Sequence, residues 1–108
     1  MSYDVYLSHT LGEKTYRIIE VGNMTSNIRP MLDLAFERED WKFINGMLGK
    51  DALPSIRAAL SMMEVDKPKF EVLNPKNGWG SYGSCFVFLK QILEACKENP
   101  DLTIEISY

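Results

Sequence analysis

Histidine and cysteine are scarce in this sequence, which has one histidine, His9, and two cysteines, Cys85 and Cys96, among 108 residues. A structural zinc site needs a cluster of four Cys or His ligands, so none is predicted. The two cysteines lie eleven positions apart in one predicted helix. At the usual rise they are about 16 Å apart, too far for a disulfide. We therefore predict two buried, reduced thiols, as is typical of the cytoplasm.

Excess positive charge and long apolar runs are also lacking. The formal net charge is −3, whereas affinity for polymeric nucleic acid rests largely on Lys and Arg contacts with phosphates. No stretch has the length and apolarity of a membrane span, and residues 1–4 have neither a basic region nor an apolar run. The sequence therefore predicts a soluble, cytoplasmic protein with no nucleic-acid or membrane partner.

What is present indicates an ordinary globular domain. The chain has 45% hydrophobic and 25% charged residues, a balance that supports an apolar core. A chain of 108 residues can bury one core but not two. We predict a single domain over residues 1–108.

Two stretches near the start predict a β-hairpin. Residues 3–8 alternate apolar and polar side chains, and residues 14–21 are rich in residues that favour strands. The segment between them contains Gly12, which favours a turn. His9 lies at this predicted tip, so we interpret it as a solvent-exposed turn residue and not as a catalytic base.

Three helices are predicted after the hairpin. Apolar side chains recur with helical spacing over residues 28–39, from residue 51 or 53 to residue 65, and over residues 81–98. Ser26 or Asn27 is expected to cap the first of these helices, because short polar side chains accept hydrogen bonds from its free N–H groups.

A last strand completes the predicted fold. Residues 102–108 alternate, with Leu102, Ile104, Ile106 and Tyr108 expected to face the core. The element order is therefore β-β-α-α-α-β, and short connections make the last strand antiparallel to the first. We predict an α+β fold with a three-stranded antiparallel sheet, in the order 2-1-3, and helices packed on one face.

Short connections also make successive strands and helices alternate in direction. This alternation brings two polar segments, residues 23–27 and 74–84, to one end of the sheet. The second segment reads Asn-Pro-Lys-Asn-Gly-Trp-Gly-Ser-Tyr-Gly-Ser and opens into the most apolar helix. Each segment precedes a helix, whose free N–H groups and positive dipole end attract anions. We predict a pocket here for a small anionic, ring-bearing ligand, such as a nucleotide or a nucleotide-derived signal.

Ten residues are candidates for binding this ligand. Trp79 and Tyr82 offer flat faces for stacking, and Arg29 suits a forked contact with an anionic group. Gly80 and Ser84 let the backbone approach the ligand, while asparagines read the edge of a ring. The full set is Asn23, Thr25, Asn27, Arg29, Asn74, Asn77, Trp79, Gly80, Tyr82 and Ser84.

Other interpretations of the glycine-aromatic segment stay open. Asn-Gly is a turn signal, and Trp79 can instead plug the end of the core. The segment is neither a dinucleotide fingerprint, which needs a parallel β-α-β unit, nor a Walker-type phosphate loop. Its aromatics also suit the hot spot of a protein–protein inhibitor or adaptor.

Catalysis is the least favoured class. General acid–base chemistry needs a positioned pair of titratable groups, and His9 is predicted at the opposite end of the sheet. Cys85 lies near a helix start, which lowers a thiol pKa, but no histidine is predicted within reach. We predict a binding module without catalytic residues, metal or cofactor. A small enzyme of unknown chemistry and a homo-oligomer formed through the sheet edges remain alternatives.

One resemblance rests on three segments of the sequence. They are Asn-Met-Thr-Ser-Asn at residues 23–27, Asn-Pro-Lys-Asn-Gly-Trp-Gly-Ser-Tyr at residues 74–82, and Thr-Ile-Glu-Ile-Ser at residues 103–107. With these segments the chain resembles a loose set of small uncharacterised proteins from bacteria and their phages, and the likeness covers most of its length. The resemblance implies a phage or mobile-element origin and no particular activity. Small phage proteins often capture a host signalling molecule or block a host protein, so it also implies an anti-defence protein as one form of the inhibitor.

Overall fold

Three strands form one antiparallel sheet in the order β2-β1-β3, as predicted. They are β1 (Ser2–Leu11), β2 (Lys14–Thr25) and β3 (Thr103–Ser107). The computed structural model describes residues 1–108. Asp4 of β1 pairs with Asn23 of β2 on one side and with Ser107 of β3 on the other. His9 is exposed near the hairpin turn, as predicted.

One face of the sheet is apolar because the strands alternate. Val5 and Leu7 of β1 and Ile104 and Ile106 of β3 are buried, and they belong to a single cluster with the buried residues of the helices. The prediction that Tyr108 also faces the core is wrong, since this residue is 70% exposed. The strand ends one residue before it.

Four helices pack on the apolar face. They are α1 (Arg29–Phe36), α2 (Gly49–Val65), the short α3 (Lys67–Glu71) and α4 (Tyr82–Glu98). The sequence pattern predicts three of them, and α3 is the addition. None of the helices combines the length and the apolarity that a membrane crossing requires.

The boundaries of α1 differ from the prediction at both ends. Glu37 takes a left-handed conformation, with φ of 54°, and ends the helix after Phe36. The predicted caps, Ser26 and Asn27, lie instead in a 3-10 turn that precedes α1, and no side chain caps the helix itself. This turn is capped by Thr25, whose Oγ1 accepts a hydrogen bond from the backbone N–H of Asn27.

The connection between α1 and α2 closes the core and covers the outer edge of β3. It begins with the 3-10 turn Trp41–Ile44, in which Trp41 is fully buried. The N–H of Gly46 then donates to the carbonyl of Ile104, and the N–H of Ile104 donates to the carbonyl of Met47, both over 2.8 Å. As a result β3 has hydrogen-bonding neighbours on both sides, whereas the outer edge of β2 is open.

Candidate functional site

The two polar segments are neighbours in the structure and enclose a cavity of about 400 Å³, which we call the polar cleft. Its walls are formed by Met1, Ser2, Asn23, Thr25, Asn27 and Trp79. Four of the ten candidate residues therefore line one cavity. The contribution of Met1 and Ser2 is not predicted, because it depends on strand register: Ser2 pairs with Thr25 across the sheet.

Trp79 is the aromatic side chain of the polar cleft. It is 67% exposed, whereas the second tryptophan, Trp41, is 0% exposed. The N–H of Trp79 donates to Oδ1 of Asn77 over 2.9 Å, a local turn that holds the loop beneath the indole. Trp79 is thus not a core residue, and its ring is available to a ligand.

Gly80 lets the loop lie directly against the end of β2. Its φ of 92° falls where residues with a side chain are rarely found. A Cβ at this position would lie 2.9 Å from Cγ2 of Thr25 and 3.3 Å from Cδ1 of Ile28. The narrow spacing between the two walls of the cleft therefore depends on glycine at residue 80.

The polar side chains of the cleft are oriented and retain hydrogen-bonding capacity. Nδ2 of Asn23 donates to Oδ1 of Asp4 over 2.7 Å, and Nδ2 of Asn27 donates to Oγ1 of Thr25 over 3.1 Å. Each amide keeps its Oδ1 atom without a partner in the protein. Two fixed carbonyl oxygens are suited to accept from the N–H groups on the edge of a ring.

Arg29 does not line the polar cleft. Its guanidinium lies 3.2 Å from a carboxylate oxygen of Asp33 and 3.7 Å from one of Asp40. The hydrogen bond with Asp33 raises the pKa of Arg29 further above its usual value. No lysine or arginine is among the residues of the cleft. The predicted contact between Arg29 and an anionic ligand is therefore not supported, because Arg29 is paired with Asp33 and Asp40.

Tyr82 contacts α2 and not the cleft. Its hydroxyl donates to the carbonyl of Met63 over 2.8 Å, and its ring stacks on Phe86 with 6.2 Å between centroids. Partial burial raises the pKa of the Tyr82 phenol above its usual value. Tyr82 therefore links α4 to α2 through a hydrogen bond. Of the two predicted stacking residues, only Trp79 lines the cleft.

Asn74 and Ser84 cap the start of α4. The N–H of Tyr82 donates to Oδ1 of Asn74 over 2.7 Å, and the N–H of Ser84 donates to Oγ of Ser81 over 3.2 Å. Oγ of Ser84 in turn accepts from the N–H of Ser81 over 2.8 Å, which completes a capping box. Most N–H groups at this helix start thus have protein partners, so little remains there to bind an anion.

Both cysteines are fully buried. Burial raises the pKa of Cys85 to about 12 and that of Cys96 to about 11. Desolvation of the thiolate therefore outweighs any lowering of the Cys85 pKa by the nearby helix start. No group of three or more His, Cys, Asp or Glu side chains is arranged to hold a metal ion.

We expect neither thiol to react with Ellman's reagent in the native protein at about pH 8, because the reaction needs an exposed thiolate. Both thiols should react rapidly in denaturant, giving two equivalents per chain. The measurement is the absorbance of the released thionitrobenzoate. Reaction of either cysteine in the native protein as fast as in the denatured chain would contradict this assignment.

Comparison of the chain with protein-family models, with curated proteins and with solved structures gives no match. The resemblance to small proteins of bacteria and phages therefore stays a prediction.

Proposed function

We propose that this protein is a binding module whose polar cleft holds a small ring-bearing ligand, a nucleoside or a nucleotide-derived signal. The observation that carries the proposal is the position of Trp79, which is 67% exposed at the mouth of a polar cavity. Covering its indole with a planar ring removes apolar surface from water and adds a stacking contact. Such stacking contributes roughly 1–3 kcal/mol per base in single-strand binders.

The size and chemistry of the cleft support a ligand of this class. Its volume of about 400 Å³ lies within the usual range for small-molecule sites, roughly 300–1,000 Å³. A ring stacked on Trp79 would place its edge towards the oriented amides of Asn23 and Asn27. The hydroxyl of Ser2 and the backbone around it add further donors and acceptors.

Ring contacts, more than charge, carry the affinity in this proposal. No cationic side chain lines the cleft, and Asp4 lies beside Asn23 at 2.7 Å. Phosphate groups of a nucleotide would therefore point towards solvent and contribute little. We expect a nucleoside and its monophosphate to bind with dissociation constants within about tenfold of each other, since tenfold is only about 1.4 kcal/mol.

We expect Trp79→Ala to weaken ligand binding, measured by calorimetry, because it removes the stacking surface of the cleft. A thermal-shift screen of nucleosides, mononucleotides and cyclic mono- and dinucleotides would first select the ligand. Loss of roughly 1–3 kcal/mol of stacking weakens binding by about five- to 150-fold.

The matched control is Tyr16→Ala, which truncates another exposed aromatic side chain on β2, away from the cleft. Affinity should be unchanged in this variant, and Trp79→Phe should retain part of it. A protein that responds to no compound of the screen, or whose affinity is the same in Trp79→Ala as in the wild type, would contradict the proposal.

A second candidate function is that of a protein–protein inhibitor or adaptor, for example an anti-defence protein that binds a host protein. It is favoured by the 67% exposure of Trp79, because tryptophan is among the residues that dominate interface hot spots. Val72, 80% exposed on the same stretch of chain, adds apolar surface. Capture of a defined host protein by the wild type but not by Trp79→Ala, without response to any small molecule, would favour this function.

A further inference from the structure

A second concave surface lies between β2 and α4, away from the polar cleft. It is a groove with a volume of about 400 Å³ whose floor is apolar, with Ile19 and Val21 from the strand and Val87 and Ala95 from the helix. We call it the apolar groove. Val87 is 55% exposed within it, whereas the other large apolar side chains of α4 are buried or half-buried, so this apolar surface has no partner in the chain.

The apolar groove runs beside the open edge of the sheet. The outer edge of β3 is hydrogen-bonded to the segment that follows the Trp41–Ile44 turn, whereas β2 is the terminal strand with nothing beyond it. Backbone N–H and C=O groups of such an edge are available to an added strand. An edge strand next to an apolar groove is the arrangement that binds extended peptides, because the edge holds the peptide backbone and the groove holds alternate side chains.

Charge at the rim of the groove selects the kind of peptide. Glu20, Glu94 and Glu98 border the groove, opposed by a single lysine, Lys90. Of these three glutamates only Glu94 forms an ion pair, with Lys97 at 3.8 Å. The rim is therefore net acidic and complementary to a basic segment.

The same features argue against a second copy of this chain as the occupant. Two β2 strands paired around a twofold axis would bring the acidic rims of both α4 helices together. The register of β2 against β1 also shifts twice, leaving Ile18 and Val21 as extra residues. Such bulges twist an edge and discourage long edge-to-edge pairing, so a short strand fits better than a long one.

We propose that β2 and the apolar groove bind a short, basic, extended segment of another protein, which adds a strand to β2 and rests alternate apolar side chains on Val87 and Ala95. The side-chain amide of Gln91 lies beside β2, where it can form hydrogen bonds with the added strand. Its Oε1 lies 2.8 Å from the position that a Cβ on Gly22 would occupy, so the absence of a side chain there brings this amide to the strand. The site is independent of the polar cleft.

The test measures fluorescence anisotropy of a labelled octapeptide that alternates valine and lysine, titrated with the full chain at low salt. We expect saturable binding that weakens as salt is added. The acidic counterpart, with glutamate for lysine, should bind at least about tenfold more weakly. A peptide methylated on alternate backbone nitrogens keeps the charge but loses the donors of one edge, so it should also lose binding.

Two variants locate the binding site. Val87→Arg fills the groove with a long cationic side chain at an exposed helix position and should abolish binding. The double variant E20K/E98K should weaken binding by about tenfold, whereas the control E39K/E71K makes the same charge change at exposed residues elsewhere and should weaken it far less. Trp79→Ala should leave peptide affinity unchanged, which separates this test from that of the polar cleft.

Three results would overturn the proposal. They are equal binding of the methylated peptide, equal loss in E39K/E71K and E20K/E98K, and no effect of Val87→Arg in a variant whose circular dichroism is native. A dimer seen by light scattering in the wild type and lost in Val87→Arg would assign the groove to a second copy instead.

Discussion

Replacing Trp41 with alanine is expected to destabilise the protein by about 3–5 kcal/mol, the usual cost of truncating a buried tryptophan. Trp41 is fully buried and packs edge-on against Tyr3 and Phe88, with ring centroids 5.0 Å and 5.9 Å away. Its removal leaves a cavity where the α1–α2 connection meets the sheet. Since a domain of this size has about 5–15 kcal/mol of stability in total, the loss is a large fraction of it.

Urea unfolding followed by circular dichroism measures this effect, and the chain supplies its own matched control. Trp79→Ala makes the same chemical change at an exposed position and should alter the free energy of unfolding by about 0.5 kcal/mol or less. Should the alanine variant at residue 41 fail to fold, Trp41→Phe serves instead. The indole Nε1 of Trp41 has no hydrogen-bond partner, so phenylalanine loses packing but no hydrogen bond, and the destabilisation should be smaller than that of alanine. Equal effects at the two tryptophans would contradict the assignment of Trp41 to the core.

Replacing Gly80 with alanine is expected to destabilise the protein by about 3 kcal/mol. Two costs combine, backbone strain at φ of 92° and a Cβ placed 2.9 Å from Cγ2 of Thr25. Strain of this kind costs about 1–3 kcal/mol, and overpacking a tight contact adds about 1–3 kcal/mol. Thr25 cannot rotate freely to relieve the contact, because its Oγ1 accepts hydrogen bonds from Asn27.

Gly78→Ala separates the two costs. Gly78 has a similar φ of 78°, but a Cβ there would meet nothing within 4 Å. The same urea experiment should therefore show about half the destabilisation at residue 78, from strain alone. If both alanine variants unfold at the same urea concentration, then residue 80 does not press against Thr25, and the close contact between the loop and β2 is contradicted.

Local sequence patterns were sufficient for most of the fold. Alternation identifies the strands, helical spacing identifies α1, α2 and α4, and the count of directions gives the antiparallel order. The early end of α1 at Glu37 was not predictable, because the residues around it include no glycine or proline to stop a helix. The covered edge of β3 was not predictable either, because it depends on contacts between segments far apart in the chain.

Chain direction also predicted part of the site, since it placed Thr25 and Asn27 beside Trp79. Chain direction does not predict which way a long side chain points. Arg29 turns towards carboxylates that follow it in sequence, and Tyr82 turns towards a carbonyl in α2. Spacing alone cannot choose between these contacts and a ligand, because both satisfy the same donors.

The central position of β1 has a consequence for how the chain acquires its shape. Ser8 on β1 donates a hydrogen bond to Glu105 on β3, 97 positions away. The chain loses conformational entropy when such distant segments are brought together, before their contacts can stabilise the fold. Domains with many non-local pairings therefore fold slowly. During synthesis the hairpin is therefore complete long before residues 103–107 are made, and the edge of β1 that pairs with β3 stays unpaired until then.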